Sequence, residues 1–167
     1  MKTPWTLDGE RVRISTPTYP WEKHGDLANA AVKHVDVNEA PQALPHDGRL
    51  FMAFSASGCW TDNYCLGLLA LKPGGDPADP ADWKKGRQPL LGSSPDANAY
   101  APGHNSFFQS PDGREDWIVY HANLKAGQGC GKARSPRAQP LHWRADGLPD
   151  LGPPAGTGVP LPSPSGE

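Results

Sequence analysis

Apolar residues along this chain gather in short runs rather than on a helical stripe. Arg49–Ser55, Tyr64–Leu71, Ser106–Gln109, Asp116–His121 and Gln139–Trp143 are each bounded by Gly, Pro, Asp or Asn. Short apolar runs closed by turn formers predict β-strands. No window long enough for a helix keeps a 3.6-residue period. A Pro-interrupted stretch over Asp79–Lys85 predicts one short helical turn at most. The expected class is all-β.

The strands repeat. Glu39–Arg49 aligns with His104–Arg114: each has a short strand, an Asp-Gly-Arg turn (Asp47-Gly48-Arg49 and Asp112-Gly113-Arg114) and a more apolar second strand. A third strand follows in each unit, Tyr64–Leu71 and Arg137–Trp143, and then a Trp-bearing turn, Asp82-Trp83-Lys84 and Trp143–Gly147. That is a four-stranded blade seen twice, which predicts a β-propeller with irregular blades over residues 36–92 and 100–160. Trp5–Ser15 resembles the outer end of such a unit, so residues 1–20 are expected to be the outer strand of an upstream blade. Two blades and an orphan strand would leave sheet edges open. The domain over 1–167 is therefore expected to be the C-terminal part of a larger propeller, with a sandwich of the same strands as the alternative fold.

Composition narrows the partners. The net charge is −2 and the basic residues are dispersed, so nothing marks a phosphate backbone as a ligand and no nucleic acid is expected. The apolar runs are too short to span a bilayer as a helix, and no membrane is expected. Met1–Trp5 has a charge but no apolar run behind it, so no signal peptide is read there. Three cysteines, Cys59, Cys65 and Cys130, allow one intramolecular disulfide at most, and free thiols are equally open.

The inner strand of a propeller blade points its first residues into the axial channel. By register Glu39 and His104 share that position. A glutamate among Val37, Pro41 and aromatic neighbours is expected to be partly desolvated, which favours the protonated form that an acid catalyst needs. His104 follows a Pro-Gly turn and suits an ion ligand, a sugar contact or a structural role. The other histidines (His24, His34, His46, His121 and His142) have no metal-ligand spacing.

Val37–Leu44, Phe54–Thr61, Tyr64–Leu69, Pro102–Phe108 and Arg134–Gln139 resemble, in that order, segments of glycoside hydrolase family 43. The resemblance runs from Trp21 to Trp143 and includes the closing Pro164–Glu167. It implies a partial five-bladed β-propeller from a secreted, extracellular enzyme. It also implies inverting hydrolysis of arabinose- or xylose-containing oligo- and polysaccharides, with α-L-arabinofuranosidase preferred to β-xylosidase or arabinanase. Glu39 maps onto the general acid of an Asn-Glu-Gly-Pro-like turn, although Ala40 stands where the family has glycine. His104 maps onto a histidine that helps organise a hydrated calcium ion, so calcium is a candidate cofactor. Arg134 maps onto a sugar-binding arginine, with Arg137 as the alternative. Ser57 and Gln139 are candidate substrate contacts, each with a structural role as its alternative.

The family's base aspartate and its second, acid-tuning aspartate match no segment here. Asp36 and Asp62 read as turn residues and not as substitutes. The chain alone is therefore expected to be inactive. Its rival reading is a non-catalytic carbohydrate-binding fragment that uses Trp21 and Trp60.

Overall fold

The computed structural model describes residues 2–28 and 31–166. Met1 and Glu167, the ends of the domain expected over 1–167, lie outside the described residues, as do Asn29 and Ala30. Eight strands form two antiparallel sheets: β1 (Asn38–His46), β2 (Arg49–Ala56), β3 (Cys65–Leu71) and β4 (Trp83–Lys85), then β5 (Tyr100–Gln109), β6 (Asp116–Asn123), β7 (Arg134–Trp143) and β8 (Pro149–Asp150). Each sheet pairs its strands in chain order, as a propeller blade does. The strands fall inside the expected spans 36–92 and 100–160.

Local chemistry accounts for the punctuation. Asp47 and Gly48 both have positive φ (46° and 70°) between the paired His46 and Arg49. Positive φ at both central residues is the two-residue hairpin turn whose twist matches the strands it joins. The second Asp-Gly-Arg departs from the expected register. β5 pairs out to Gln109 opposite Asp116, so Asp112, Gly113 and Arg114 lie in a wider loop. There the Asp112 carboxylate accepts from the Ser110 and Ser165 hydroxyls and the Arg114 amide, which stabilises the longer turn and ties the C-terminal segment to it. The helical turn expected near Asp79 is a 3₁₀ turn, Pro80–Asp82, capped by the Asp79 side chain on the Ala81 amide.

The blades meet across one apolar interface. Leu44, Phe51, Leu66 and Leu68 pack against Ile118, Tyr120, Ala122 and Leu141. Alternate residues of β6, Ile118, Tyr120 and Ala122, therefore lie in this interface. A second cluster, Phe54, Cys65, Leu69 and Trp83, lies under Ile14 and Trp21.

The outer strand expected over 1–20 is absent from residues 2–20. They carry an isolated Thr3–Thr6 bridge and no named strand, and Trp5 is 84% exposed. Among the apolar residues of 5–15, Ile14 packs on the core.

Candidate active site

Both inner strands carry a bulge where the chemistry-bearing residue sits. The β1–β2 register shifts between Glu39 and Gln42, and the β5–β6 register shifts between Gly103 and Ser106. Ala40 (φ 48°) and His104 (φ 53°) take left-handed backbone at these points. A bulge inserts a residue and re-aims the side chains beside it. Glu39 stands near the head of β1, as expected. His104 does not head its strand, because β5 starts earlier, at Tyr100.

Glu39 is placed from both sides. Next to it, Asn38 donates to Glu22, which has no solvent exposure. Burial opposes ionisation of Glu22, but the Lys85 ammonium at 2.7 Å, the amides of Thr18 and Tyr19, and Asn38 together hold its carboxyl below the usual range. This ionised pair anchors the start of β1. On the other side, the hydroxyl of fully buried Tyr64 donates to Glu39 Oε1 at 2.6 Å. Burial first, and the carboxylate second, push the Tyr64 phenol well above its ordinary range, so it keeps its proton. Glu39 itself is exposed, beside the register shift of β1.

Tyr64 joins Glu39 to the second blade. Its ring lies parallel to that of His121, with centroids 5.9 Å apart. Gly103 makes this approach possible, because a β-carbon there would stand 2.1 Å from Tyr64 Cε1. Arg134 donates to His121 Nε2 at 3.1 Å, which puts the proton of a neutral His121 ring on Nδ1. Burial, then the nearby Arg134 and His104, push His121 down to about 4, so it is neutral at neutral pH. The His104 ring lies 6.2 Å from that of His121, and its amide donates to the buried Ser55 hydroxyl of the first blade. His104, His121, Arg134, Ser106 and Gly131 line a cavity of about 440 Å³. A second hollow of about 330 Å³ borders Glu39, lined by Pro41, Met52, Phe54 and Ile14.

Of the sequence candidates, the structure links Glu39 to Arg134 and His104 through Tyr64 and His121, which sequence reasoning missed. The only sequence trace of that link was the Gly103-His104 dipeptide. Two candidates are corrected. Ser57 is fully buried, accepting from the His24 amide and donating to the Trp21 carbonyl, so its hydroxyl is already used. Gln139 is also buried: its oxygen accepts from Tyr120 and Ala155, and its nitrogen donates to the carbonyls of Leu151 and Pro153. It fastens the closing segment and offers nothing to a sugar. Arg137 is likewise buried, bonded to the carbonyls of Asn98 and Ala155, which leaves Arg134 as the arginine at the cavity.

Asp36, outside any named turn, binds the His34 ring, and Asp62, in the turn before β3, accepts the Gly127 amide through both oxygens. Trp21 stacks on Tyr19 and Phe54 and donates to the Arg87 carbonyl; it is framework rather than a stacking platform. Cys59 pairs with Cys130, joining the loops beyond β2 and β6, while Cys65 is a buried free thiol pushed up to about 12 by burial.

Calcium takes six to eight oxygen ligands. Around His104 the neighbours are an imidazole and a guanidinium, and among the described residues no three of His, Cys, Asp or Glu converge on one point. These side chains do not by themselves make a calcium site.

Residues 3–149 match the glycosyl hydrolases family 43. The chain is 40% identical over 164 residues to an extracellular exo-α-(1→5)-L-arabinofuranosidase of Streptomyces avermitilis, covering 95% of this chain and 32% of that protein. It is 38% identical over 163 residues to α-L-arabinofuranosidase 43 of Humicola insolens, with 95% and 32% covered. Among solved structures, α-L-arabinofuranosidase from Lactobacillus brevis superposes with a TM-score of 0.81 at 32% identity, over 96% of this chain and 47% of that one. The chain thus spans about a third of the length of the curated relatives it matches. The order of these segments, the blade topology and the glutamate turn agree with one assignment: the chain belongs to glycoside hydrolase family 43, and its two sheets are blades of that family's β-propeller.

Proposed function

We propose that this chain supplies the acid-bearing side of an inverting α-L-arabinofuranosidase that acts on arabinose-containing oligo- or polysaccharides outside the cell. The observation that carries this reading is Glu39: an accessible carboxyl at the head of an inner strand, with one oxygen held by a buried phenol. In the proposed reaction Glu39 protonates the leaving glycosidic oxygen while a carboxylate on another part of the channel activates water. Inverting enzymes place the two carboxyls about 6.5–9.5 Å apart to admit that water. Arg134, paired with neutral His121, presents a fixed positive charge and several N–H donors to sugar hydroxyls, and His104 borders the same cavity.

Arabinofuranosidase is preferred to xylosidase or arabinanase because the matched relatives at 35–42% identity are named arabinofuranosidases. Two of them are named extracellular, and the Cys59–Cys130 bridge suits an oxidising compartment.

The test compares this chain alone with the same chain joined to the N-terminal blades of the Lactobacillus brevis relative. The chain alone is expected to show negligible hydrolysis of aryl α-L-arabinofuranosides. The joined protein is expected to release the inverted anomer by proton NMR and to lose at least about 100-fold in kcat on Glu39→Gln. Turnover by the isolated chain, or a retained anomer, would overturn the proposal.

A further inference from the structure

The two oxygens of Glu39 are not equivalent. Oε1 accepts the Tyr64 hydroxyl at 2.6 Å, and among the described residues no donor reaches Oε2. Tyr64 has no solvent exposure and its hydroxyl proton is committed to Oε1. A proton on Oε1 would compete with that hydroxyl for the same oxygen and turn the phenol's proton towards the neighbouring Ser55 hydroxyl, which already accepts the His104 amide. The phenol is also held rigidly. Its ring sits on Gly103 of β5 and lies parallel to His121 of β6, which Arg134 of β7 holds in turn.

We infer that Tyr64 is a positioning residue that occupies Oε1 of Glu39 and leaves Oε2 to carry the proton given to the leaving oxygen. This rests on the reading of Glu39 as general acid. In the step itself the Oε2–H proton passes to the glycosidic oxygen. The C–O bonding pair leaves with that oxygen, and the negative charge stays on the Glu39 carboxylate. Charge developing there strengthens the hydrogen bond from Tyr64, because bonds to an ionised acceptor are shorter and stronger than neutral ones. The interaction is therefore greater in the transition state than in the ground state, which is the condition for raising kcat. Tyr64→Phe removes this term and keeps the ring on Gly103.

The experiment has two arms. In the chain alone, proton NMR at neutral pH is expected to show a downfield hydroxyl resonance that Tyr64→Phe removes and that moves upfield in Glu39→Gln, where the acceptor becomes a neutral amide. Absence of that resonance, or its indifference to Glu39→Gln, overturns the contact whatever the chain catalyses. In the joined protein, Tyr64→Phe is expected to lose about 10-fold more kcat on an arabinofuranoside with a poorly acidic leaving alcohol than on one with a strongly acidic leaving phenol, which hardly needs the proton. Equal losses on both substrates would make Tyr64 merely structural and leave the proposed function standing. No turnover of either substrate by the joined wild-type protein, with the resonance intact, would overturn the hydrolase reading and the positioning role with it, but not the hydrogen bond.

Discussion

Two glutamates flank Asn38, Glu22 by a hydrogen bond and Glu39 along the chain, and meet opposite fates. Glu22 is wholly buried beneath the start of β1, where an ammonium, two backbone amides and Asn38 satisfy it. Glu39 is exposed with one donor on Oε1, and among the described residues no donor reaches Oε2. The difference separates a carboxylate used to build from one available to react. A buried charge must be fully paired to be tolerated, and once fully paired it has no lone pair to offer a substrate. The oxygen left open on Glu39 is what makes it a catalytic candidate, and the saturated Glu22 beneath is part of what holds it in place.

The sharpest way to break this contrast is to truncate each carboxylate in turn. Glu22→Ala leaves the 12%-exposed Lys85 ammonium without its partner and should cost about 3–5 kcal/mol in urea unfolding, whereas Glu39→Gln should stay within about 0.5 kcal/mol of wild type. Comparable losses for the two would refute the division of labour.

Acid titration sharpens it next. His121 is pushed down to about 4, so between pH 6.5 and 4 the unfolded chain binds the proton that the folded chain refuses. Its contribution is complete above pH 6.5 and is lost as the pH falls towards 4. Glu22, held below its ordinary value, contributes stability that is present above that value and is lost only as the pH falls through its lower folded-state midpoint. Urea midpoints measured across this range should fall in two stages, and His121→Asn should flatten the upper one.

Gly103→Ala should cost about 1–3 kcal/mol by driving a methyl group into the Tyr64 ring, and should weaken the Tyr64 hydroxyl resonance. Ala40→Gly should have the smallest effect, a change under about 1 kcal/mol in thermal unfolding. Relief of left-handed strain at φ 48° is partly offset by the greater entropy of glycine in the unfolded chain.

Much of the architecture was legible because strands and turns are local. The apolar runs became β2, β3 and β6, and the Asp47-Gly48 hairpin followed from residues that accept positive φ. Glu39 and Arg134 stood out as candidates through ordered segments resembling the family. Tyr64 and His121 were not. Their link requires β5 and β6 to bring Gly103 opposite His121 and the blades to close on each other, and no spacing in the chain encodes that distance. Ser57 and Gln139 misled for the opposite reason. A polar side chain near a motif looks available until burial shows that its donors and acceptors are already spent.

By itself, then, the sequence determined the strand content, the repeat of four-stranded units, the family and the identity of the acid candidate, since these depend on side-chain pattern and turn chemistry within a few residues. Tertiary structure decided which polar groups are free, which arginine faces the cavity, how the cysteines pair and which oxygen of Glu39 remains open. Those outcomes depend on burial and on hydrogen-bond geometry between residues far apart in the chain, which exist only after the blades have packed.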